Sequence, residues 1–422
     1  MINNEPHSIN NTGKEYVWIK WRIIWIIAFI AGLTFLARET ETASETLVGL
    51  GQIHRVIGIS LLAIILMKLF VNNPSVPFKS IFFFWTFFAL WQMLTTSWST
   101  FPAWTLYRSS EYIILVSITA YCANSLQEAK QLTKWINLIW FFIGILVLSV
   151  WLSVIISPGE ALSPGRGIIP VSINGLFPKI SSNSVSMYGA IIGIVSFVRM
   201  RYTQEMKWKV LLFLAIVTMI LSQGRSGMAS FALGIIIAIL LMRRYGIMVI
   251  LGSLIFLLIS FYAFDEIFLE YFRRGQTEEQ FWLFSGRINV WEYTYHYFIV
   301  DQPWKGFGAY SAGRFLVLGN YLGWSSLHST WLELAVGNGI PATIFFAVIV
   351  IYSWIVIIKH CLANYGEAFN SYFIEISSVF TALIFRSLFT THFMVHNDFV
   401  FFLIIGTVFY IKSNTHKVNH FN

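Results

Sequence analysis

The sequence predicts an all-α integral membrane protein with about twelve transmembrane helices, and three observations lead to this fold class. Apolar residues make up 57% of the 422 residues, whereas charged residues make up only 11%. A water-soluble protein of this length could not cover so much apolar side chain with polar surface. Apolar segments recur along the chain, and the connections between them alternate in charge. We therefore predict a single polytopic membrane domain, 1–422.

A bilayer core requires about 17 to 25 apolar residues per helix. Segments of this kind, several of them short, lie at 20–37, 56–71, 81–96, 111–124, 135–157, 187–199, 210–222, 228–242, 247–264, 331–357, 373–389 and 399–411. The first segment is too long for a typical signal peptide, so we predict that it is retained as an anchor.

Charge in the connections predicts the orientation, because cytoplasmic connections of membrane proteins are rich in Lys and Arg. If the N-terminus is cytoplasmic, every cytoplasmic connection is basic. The residues concerned are Lys14, Lys20, Arg22, Lys79, Lys130, Lys134, Arg199, Arg201, Lys207, Lys209, Arg243, Arg244, Lys359, Lys412 and Lys417. Acidic clusters lie in opposite connections, at 39–45 and 265–279. We predict that both termini lie in the cytoplasm.

The sequence lacks the features that are typical of several other classes of protein and site. The net charge of +8 sets orientation in a membrane protein, so no nucleic-acid partner is predicted. Cys122 and Cys361, the two cysteines, do not suggest a disulfide framework. The chain has no Asp-x-Asp pair for a divalent cation, no phosphate loop and no credible Ser/His/Asp or zinc pattern. The sequence therefore predicts a site without metal or cofactor.

The longest connection, 265–327, follows the ninth apolar segment and is predicted to be a large periplasmic loop. Long connections often carry function. It contains Arg287, then a predicted amphipathic helix at 288–299 with Trp291, Tyr295 and Phe298 on one side, which would lie on the membrane or cap the helical bundle. The Pro and Gly residues at 303–308 predict a turn.

Two arginines on the predicted periplasmic side are candidate anion ligands. Arg225, in the short connection 222–227, could instead be a snorkelling side chain. It lies on the side where cations are disfavoured and precedes a helix N-terminus, which favours a nearby anion. Arg287 could either form an ion pair or bind a phosphate in a bidentate manner. The acidic candidates for such an ion pair are Glu278, Glu279 and Glu292.

His328 is the candidate general base. It precedes Thr330 and Glu333, whose spacing predicts a capping box at the start of the tenth helix. A helix N-terminus disfavours the imidazolium, so the ring would be neutral and able to accept a proton. The alternative is a histidine that only makes hydrogen bonds at the surface. The predicted topology brings His328 to the same side as Arg225 and Arg287. Two arginines and one neutral histidine suffice for inverting transfer of a sugar from a lipid diphosphate without a metal.

These segments resemble motifs of the O-antigen ligase and Wzy-type O-antigen polymerase superfamily of bacterial inner membranes. The similar residues are Ser97, Trp98, Ser99, Pro102, Thr105 and Arg108, then 222–227, 285–287 with Trp291, 303–308, His328, Ser329, 332–334 and 339–341. Ala342 departs from the residues that usually end the histidine motif.

The resemblance implies a GT-C-like helical fold in which Arg225 and Arg287 bind undecaprenyl diphosphate and His328 activates the acceptor. Its implied partners are an undecaprenyl-diphosphate-linked oligosaccharide, a glycan acceptor, the lipid bilayer and, as a further candidate, a chain-length regulator protein. The additional candidates for substrate contact, each with a structural alternative, are Arg108, Arg166, Arg386, His392 and His396.

Two alternatives remain for the reaction and one for the class of protein. The segment 98–108 and the modest loop are closer to exopolysaccharide polymerases, including the ExoQ-like ones, than to ligases that transfer the glycan to lipid A-core. A secondary transporter would have a similar number of helices. Transporters place ionisable residues near the membrane midplane, whereas the polar candidates here lie at the predicted periplasmic side.

Overall fold

The computed structural model describes residues 11–35, 53–165, 167–242, 270–283, 285–317, 327–365, 369–394 and 398–418. Over these residues the chain is mainly α-helical, as predicted. The helices are α1 (Asn11–Gly32), α2 (Ile53–Asn72), α3 (Ile81–Leu94), α4 (Pro102–Ser125), α5 (Ala129–Ile156), α6 (Pro158–Ala161), α7 (Ser182–Thr203), α8 (Met206–Ser222), α9 (Arg225–Met242), α10 (Glu278–Trp282), α11 (Arg287–Thr294), α12 (Thr330–Asn338), α13 (Ile340–Ala363), α14 (Asn370–Ser387) and α15 (Phe399–Val418). Short 3₁₀ or π helices lie at Val76–Phe78, Thr95–Trp98, Tyr295–Ile299 and Ala312–Val317.

Five helices in the described part of the chain are long and apolar enough to cross a membrane, namely α2, α5, α7, α9 and α13. Helices lie at every predicted apolar segment that the structure describes. The predicted segment 247–264 lies outside the described residues. The chain is thus a multi-pass helical membrane protein, and the number of twelve crossings remains a prediction.

The centre of the helical bundle is α15, which is almost entirely apolar from Phe399 to Ile411. Its side chains from residue 399 to 409 are buried, and it contacts α3, α4, α5 and α13. A helix that is hydrophobic all round is expected inside a bundle. Trp85 meets Phe401 edge to face with ring centroids 5.0 Å apart. The ring of Trp135 lies where a side chain at Gly406 would be, so glycine allows the close approach of α5 and α15.

The outer helices expose their largest apolar side chains instead of burying them. On α2, Ile64, Met67 and Val71 are exposed, as is Ile156 on α5. Contiguous apolar surface of this kind is rare on water-soluble monomers. Lipid is the solvent that would cover it, which agrees with the composition of the chain.

The predicted tenth segment, 331–357, is wrong as a single helix, because the chain breaks at Gly339 between α12 and α13. Gly339 has φ 84°, and the backbone of Trp304 occupies the space that its side chain would need. The amide of Ile340 donates to the carbonyl of Pro303 at 2.7 Å. The predicted turn at 303–308 is therefore packed into this helix break.

A small hairpin departs from the predicted all-α fold. Strands β1 (Leu162–Pro164) and β2 (Val171–Ile173) pair antiparallel after α6. The Gln223 side chain, at the turn from α8 to α9, donates to the carbonyls of Ile169 and Val171 at 2.9 and 3.2 Å. The hairpin is thereby attached to the turn that precedes Arg225.

Polar contacts group the helix ends into two sets. At one end of the bundle, Arg199 near the end of α7 pairs with Glu375 near the start of α14 at 2.8 Å and donates to Asn137 at 2.7 Å. At the other end, Arg386 near the end of α14 donates to the Asn183 carbonyl at the start of α7 at 2.6 Å. Helices α7 and α14 are thus antiparallel, as the charge alternation predicts. The compartment that each end faces remains a prediction.

Cysteine labelling tests that compartment. Both native cysteines are free and buried, so Ser at Cys122 and Cys361 gives a background without accessible thiols. Tyr297 and Tyr202 are exposed and lie on the two predicted sides. An impermeant thiol reagent added to intact spheroplasts should label Tyr297→Cys at once and Tyr202→Cys only after permeabilisation. The reverse pattern would show that the orientation is inverted.

Candidate functional site

Arg225 begins α9 at a turn that is packed tightly against α7. The Ser186 hydroxyl on α7 donates to the carbonyl of Gly224 at 2.9 Å. Any side chain at Gly224 or Gly227 would overlap Ser186. The two glycines of the segment 222–227 are therefore needed for the close contact of α7 and α9, and this contact fixes the starting point of Arg225.

The guanidinium of Arg225 connects α9 to the segment before α11. It donates to the carbonyl of Phe272 at 2.9 Å, to Ser285 Oγ at 2.7 Å and to Gln276 Oε1 at 3.3 Å. Its carbon Cζ lies 5.6 Å from the centre of the Phe281 ring. These three hydrogen-bond partners are neutral groups, and they orient the side chain.

Arg287 is brought to Arg225 by a sharp turn. Ser285, which binds Arg225, has φ 63°, and Gly286 has φ 84°. Two successive left-handed residues reverse the chain, and glycine adopts this conformation without strain. Arg287 then begins α11 and donates to the carbonyl of Phe389 at 2.9 Å. Burial lowers the pKa of Arg287, and the positive charge of Arg225 lowers it further, so the two cations lie close enough to repel each other.

The backbone at His328 is held by two side chains. His328 has φ 52°, a conformation that is uncommon for a residue with a side chain. The preceding residue, Leu327, is bound on both sides of its backbone. Its carbonyl accepts from Trp291 Nε1 at 2.8 Å, and the amide of Leu327 donates to Glu333 Oε1 at 3.2 Å. Trp291 lies one helical turn after Arg287. The histidine is therefore positioned relative to Arg287 through α11.

The imidazole of His328 is held in its neutral form. Burial lowers its pKa to about 4, and the positive charge of Arg287 contributes to this decrease. The ring consequently stays unprotonated at any pH well above 4. The expectation of a neutral histidine is thus supported, although burial and Arg287 are the causes rather than the helix terminus.

The turn that follows α14 binds the starts of two helices of the site. Arg287 donates to Phe389, and the hydroxyl of Thr330 donates to the carbonyls of Thr390 and His392 at 3.1 and 3.2 Å. The same hydroxyl accepts from the amide of His392 at 2.8 Å. The starts of α11 and α12, and with them Arg287 and His328, are therefore attached to one turn.

The predicted capping box at the start of α12 is wrong. Ser329, not Thr330, is the N-cap residue, and it makes no capping hydrogen bond with its side chain. The hydroxyl of Thr330 is used by the turn after α14, and the carboxyl of Glu333 accepts from Leu327 instead. Tertiary contacts have replaced the local ones, while the helix still begins where it was predicted.

The predicted amphipathic helix is found only in its first half. After α11 the backbone continues as a π-helix, which changes the angle between successive side chains. Val290, Thr294 and Phe298 form the buried face, whereas Tyr295 is exposed. Trp291 is partly buried and reaches Leu327. Trp291, Tyr295 and Phe298 therefore do not share one face.

The alternative of a structural ion pair for Arg287 is not observed. Among the described residues, Glu278, Glu279 and Glu292 form no ion pair with Arg287. Glu278 lies 3.9 Å from Arg273 instead. The described partner of Arg287 is a backbone carbonyl, which leaves its charge for another group.

Arg108 belongs to a separate polar cluster between α2 and α4. Arg108 and Arg55 both pair with Glu111, and Arg55 and Glu111 are buried. The guanidinium of Arg108 also lies over the ring of Tyr310 at 5.8 Å. These contacts support the structural alternative for Arg108, and its contact with a substrate remains a prediction.

The structure describes two of the four remaining candidates for substrate contact. Arg166 and His396 lie outside the described residues. Arg386 and His392 are buried at the end of α14 and in the turn that follows, where Arg386 Nε donates to His392 Nε2 at 3.0 Å. This places both next to the carbonyl that binds Arg287.

Comparison with known proteins gives a family that this region resembles. The family model described as O-antigen ligase matches residues 210–347. The matched region runs from α8 into α13 and contains Arg225, Arg287 and His328. The resemblance seen in the motifs is thereby confirmed, and the family supports a glycosyl-transferring enzyme of ligase or polymerase type. No match was found among the curated proteins.

Several contacts that build the site were not found from the sequence. Ser186 lies outside the matched region and carries no sequence signal, because its role is to fit two glycines that are distant in the chain. Glu333 and Trp291 were both named, but their hydrogen bonds to Leu327 were not predicted. A partner for Glu333 could have been suspected, since a carboxyl inside the apolar segment 331–357 is costly without one.

The hydrogen bond from Trp291 to Leu327 can be tested by removing its donor. Trp291→Phe keeps the ring but loses the indole N–H, a bond worth about 1 kcal/mol, so we expect glycosyl transfer to fall about fivefold to tenfold. Trp304→Phe is the matched control, because Trp304 is exposed on the same segment. Transfer rates would be measured on purified protein of equal thermal stability. Equal rates for both variants would contradict the proposed positioning of His328.

Proposed function

We propose that the protein transfers a glycan from an undecaprenyl diphosphate carrier to a sugar hydroxyl on the periplasmic side of the inner membrane, without a metal. The observation that carries the proposal is the convergence of two partly buried arginines beside a neutral histidine. The region that matches the O-antigen ligase family contains all three residues.

The arginines support an anionic ligand. Two like charges that repel each other in a partly buried site are destabilising unless an anion joins them. Guanidinium groups match phosphate oxygens in geometry, and they bind in a bidentate manner that lysine cannot reproduce. A diphosphate has oxygens for both Arg225 and Arg287, and these residues would neutralise the charge of the leaving group in place of a metal ion.

His328 fits the role of the base once the anion is bound. Arg287 contributes to the low pKa of the free site. A diphosphate on Arg287 would offset that positive charge and raise the pKa of His328 towards its ordinary value, which makes the imidazole a stronger base. The base would therefore gain strength when the donor substrate is present.

The proposed reaction is a single displacement. The hydroxyl oxygen of the acceptor forms a bond to the anomeric carbon of the donor sugar, and its proton passes to His328. The bond between that carbon and the diphosphate oxygen breaks, and the electron pair leaves with undecaprenyl diphosphate on Arg225 and Arg287. Attack from the face opposite the leaving group inverts the configuration at the anomeric carbon.

Within this chemistry we favour polymerisation of repeat units of O-antigen or exopolysaccharide over ligation to lipid A-core. The preference rests on the similarity of 98–108 to exopolysaccharide polymerases. Both reactions need the same arginines and the same base, so the difference lies in the acceptor. A chain-length regulator protein is the partner expected for a polymerase. The family match favours either enzyme over the transporter.

Substitution of the three residues tests the chemistry. Ala at Arg225, Arg287 or His328 should lower transfer at least a hundredfold, because each removes transition-state stabilisation or the base. Lys at either arginine should restore little. The assay is glycan transfer by purified protein, with membrane abundance as the control and with a strong chelator present. Full activity in His328→Ala would exclude His328 as the general base. If the chelator abolished activity and magnesium restored it, the reaction would not be metal-free.

Deletion of the gene separates the polymerase from the ligase. A strain that lacks a polymerase should accumulate single repeat units on the carrier or the surface, since no chain is extended. A strain that lacks a ligase should accumulate long chains on undecaprenyl diphosphate. Gel analysis of carrier-linked glycans distinguishes them, with the complemented strain as control. Long carrier-linked polymer would contradict our preference for a polymerase.

A further inference from the structure

The end of α14 contains a buried arginine whose hydrogen bonding is incomplete. Arg386 is only 3% exposed. Its Nε donates to His392 Nε2 at 3.0 Å, and its Nη2 donates to the carbonyl of Asn183 at 2.6 Å. The third nitrogen, Nη1, is buried and has no partner among the described residues. Buried N–H groups normally have a hydrogen-bond partner, and the cost of lacking one is greatest when the N–H belongs to a charged group.

Arg386 lies beside Arg287. Arg287 binds the carbonyl of Phe389, three residues beyond Arg386 in the same turn. Among the described residues, no carboxylate forms an ion pair with Arg287 or Arg386. A buried cation next to a partly buried one is costly when neither has a carboxylate partner, and a shared anion would remove the cost.

His392 orients the guanidinium group of Arg386. Since Arg386 Nε–H donates to His392 Nε2, that nitrogen must carry a lone pair, and the ring proton belongs on Nδ1. Nδ1 lies 3.6 Å from Asp398 Oδ2. Asp398 is itself held by the amides of Phe393 and Phe401 at 2.9 and 3.3 Å. With Nε and Nη2 both occupied, Nη1 is the part of Arg386 left for a ligand.

We infer that Arg386 is a third phosphate-binding residue of the site and that His392 is a positioning residue that orients it. The inference rests on the proposed function, because it takes the same lipid diphosphate as the ligand. Both residues lie outside the region 210–347 that matches the O-antigen ligase family.

The charge of the leaving group explains why a third arginine would be useful. A glycosyl diphosphate lipid gains one negative charge when the bond to the sugar breaks, since a phosphate oxygen loses its ester bond. Arg225 and Arg287 already compensate the negative charge that the donor substrate carries before the reaction. A cation that meets the additional charge stabilises the transition state more than the ground state, and this raises the turnover rate. Arg386 should therefore bind the released undecaprenyl diphosphate.

Binding of undecaprenyl diphosphate to the purified full-length protein in zwitterionic nanodiscs tests this inference. Arg386→Gln should weaken the affinity about tenfold, because one charged hydrogen bond is lost. Lys305→Gln removes an exposed cation from the segment before α12 and should change nothing. His392→Gln should keep most of the affinity, because its amide oxygen can accept from Arg386 Nε. His392→Phe cannot accept and should lose about as much affinity as Arg386→Gln.

The outcomes separate this inference from the proposed function. Wild-type affinity in Arg386→Gln, together with weak binding in Arg225→Gln and Arg287→Gln, would overturn the inference alone. Wild-type affinity in all three variants would overturn the proposed diphosphate site itself. If Arg386→Gln does not fold, His392→Phe decides, since it keeps the charge of Arg386. Wild-type affinity in that variant would show that His392 does not position Arg386 for the anion.

Discussion

Repulsion between two partly buried arginines is the interaction on which this site depends. Burial and the charge of Arg225 lower the pKa of Arg287, and burial and the charge of Arg287 lower the pKa of His328, so electrostatic interactions link the three residues. Two neighbouring guanidinium groups of this kind are stable only if the surrounding fold holds them together or an anion joins them. The fold provides the first condition through backbone carbonyls and neutral side chains. We propose that the lipid diphosphate provides the second.

The rest of the architecture can be understood as a way to hold these charges in place. Ser186 and the glycines of 222–227 set the start of α9, the left-handed Ser285 and Gly286 turn the chain into α11, and the turn after α14 binds Arg287. The first and the last of these contacts join elements that are far apart in sequence. Short polar contacts between helix ends are thus enough to bring the site residues together. A displaced helix end would separate the charges, which is why we expect the site to respond to changes in residues that do not touch a substrate.

Much of the fold and of the candidate site could be predicted from the sequence. The features that could not be predicted depend on tertiary contacts. Hydrophobicity located the long apolar helices that the structure describes, because lipid imposes length and polarity directly on each segment. The residues Arg225, Arg287 and His328 could be selected because cations and a histidine are conspicuous on the predicted outer side. The break at Gly339 was missed since 331–357 is mostly apolar and the cause of the break is the distant backbone of Trp304. The capping box failed for the same reason, as Thr330 binds the turn after α14. The cause of the low pKa of His328 was also missed, because burial and the position of Arg287 are properties of the assembled site.

The central claim is that a diphosphate lies between Arg225 and Arg287, next to His328. The most direct test is the structure of the protein in lipid nanodiscs with undecaprenyl diphosphate bound, determined by electron cryomicroscopy. Our account predicts density for both phosphates within hydrogen-bonding distance of the two guanidinium groups, with the lipid leaving between transmembrane helices. Density for the diphosphate at the other buried cationic cluster, formed by Arg55 and Arg108 with Glu111, and none between Arg225 and Arg287, would contradict it.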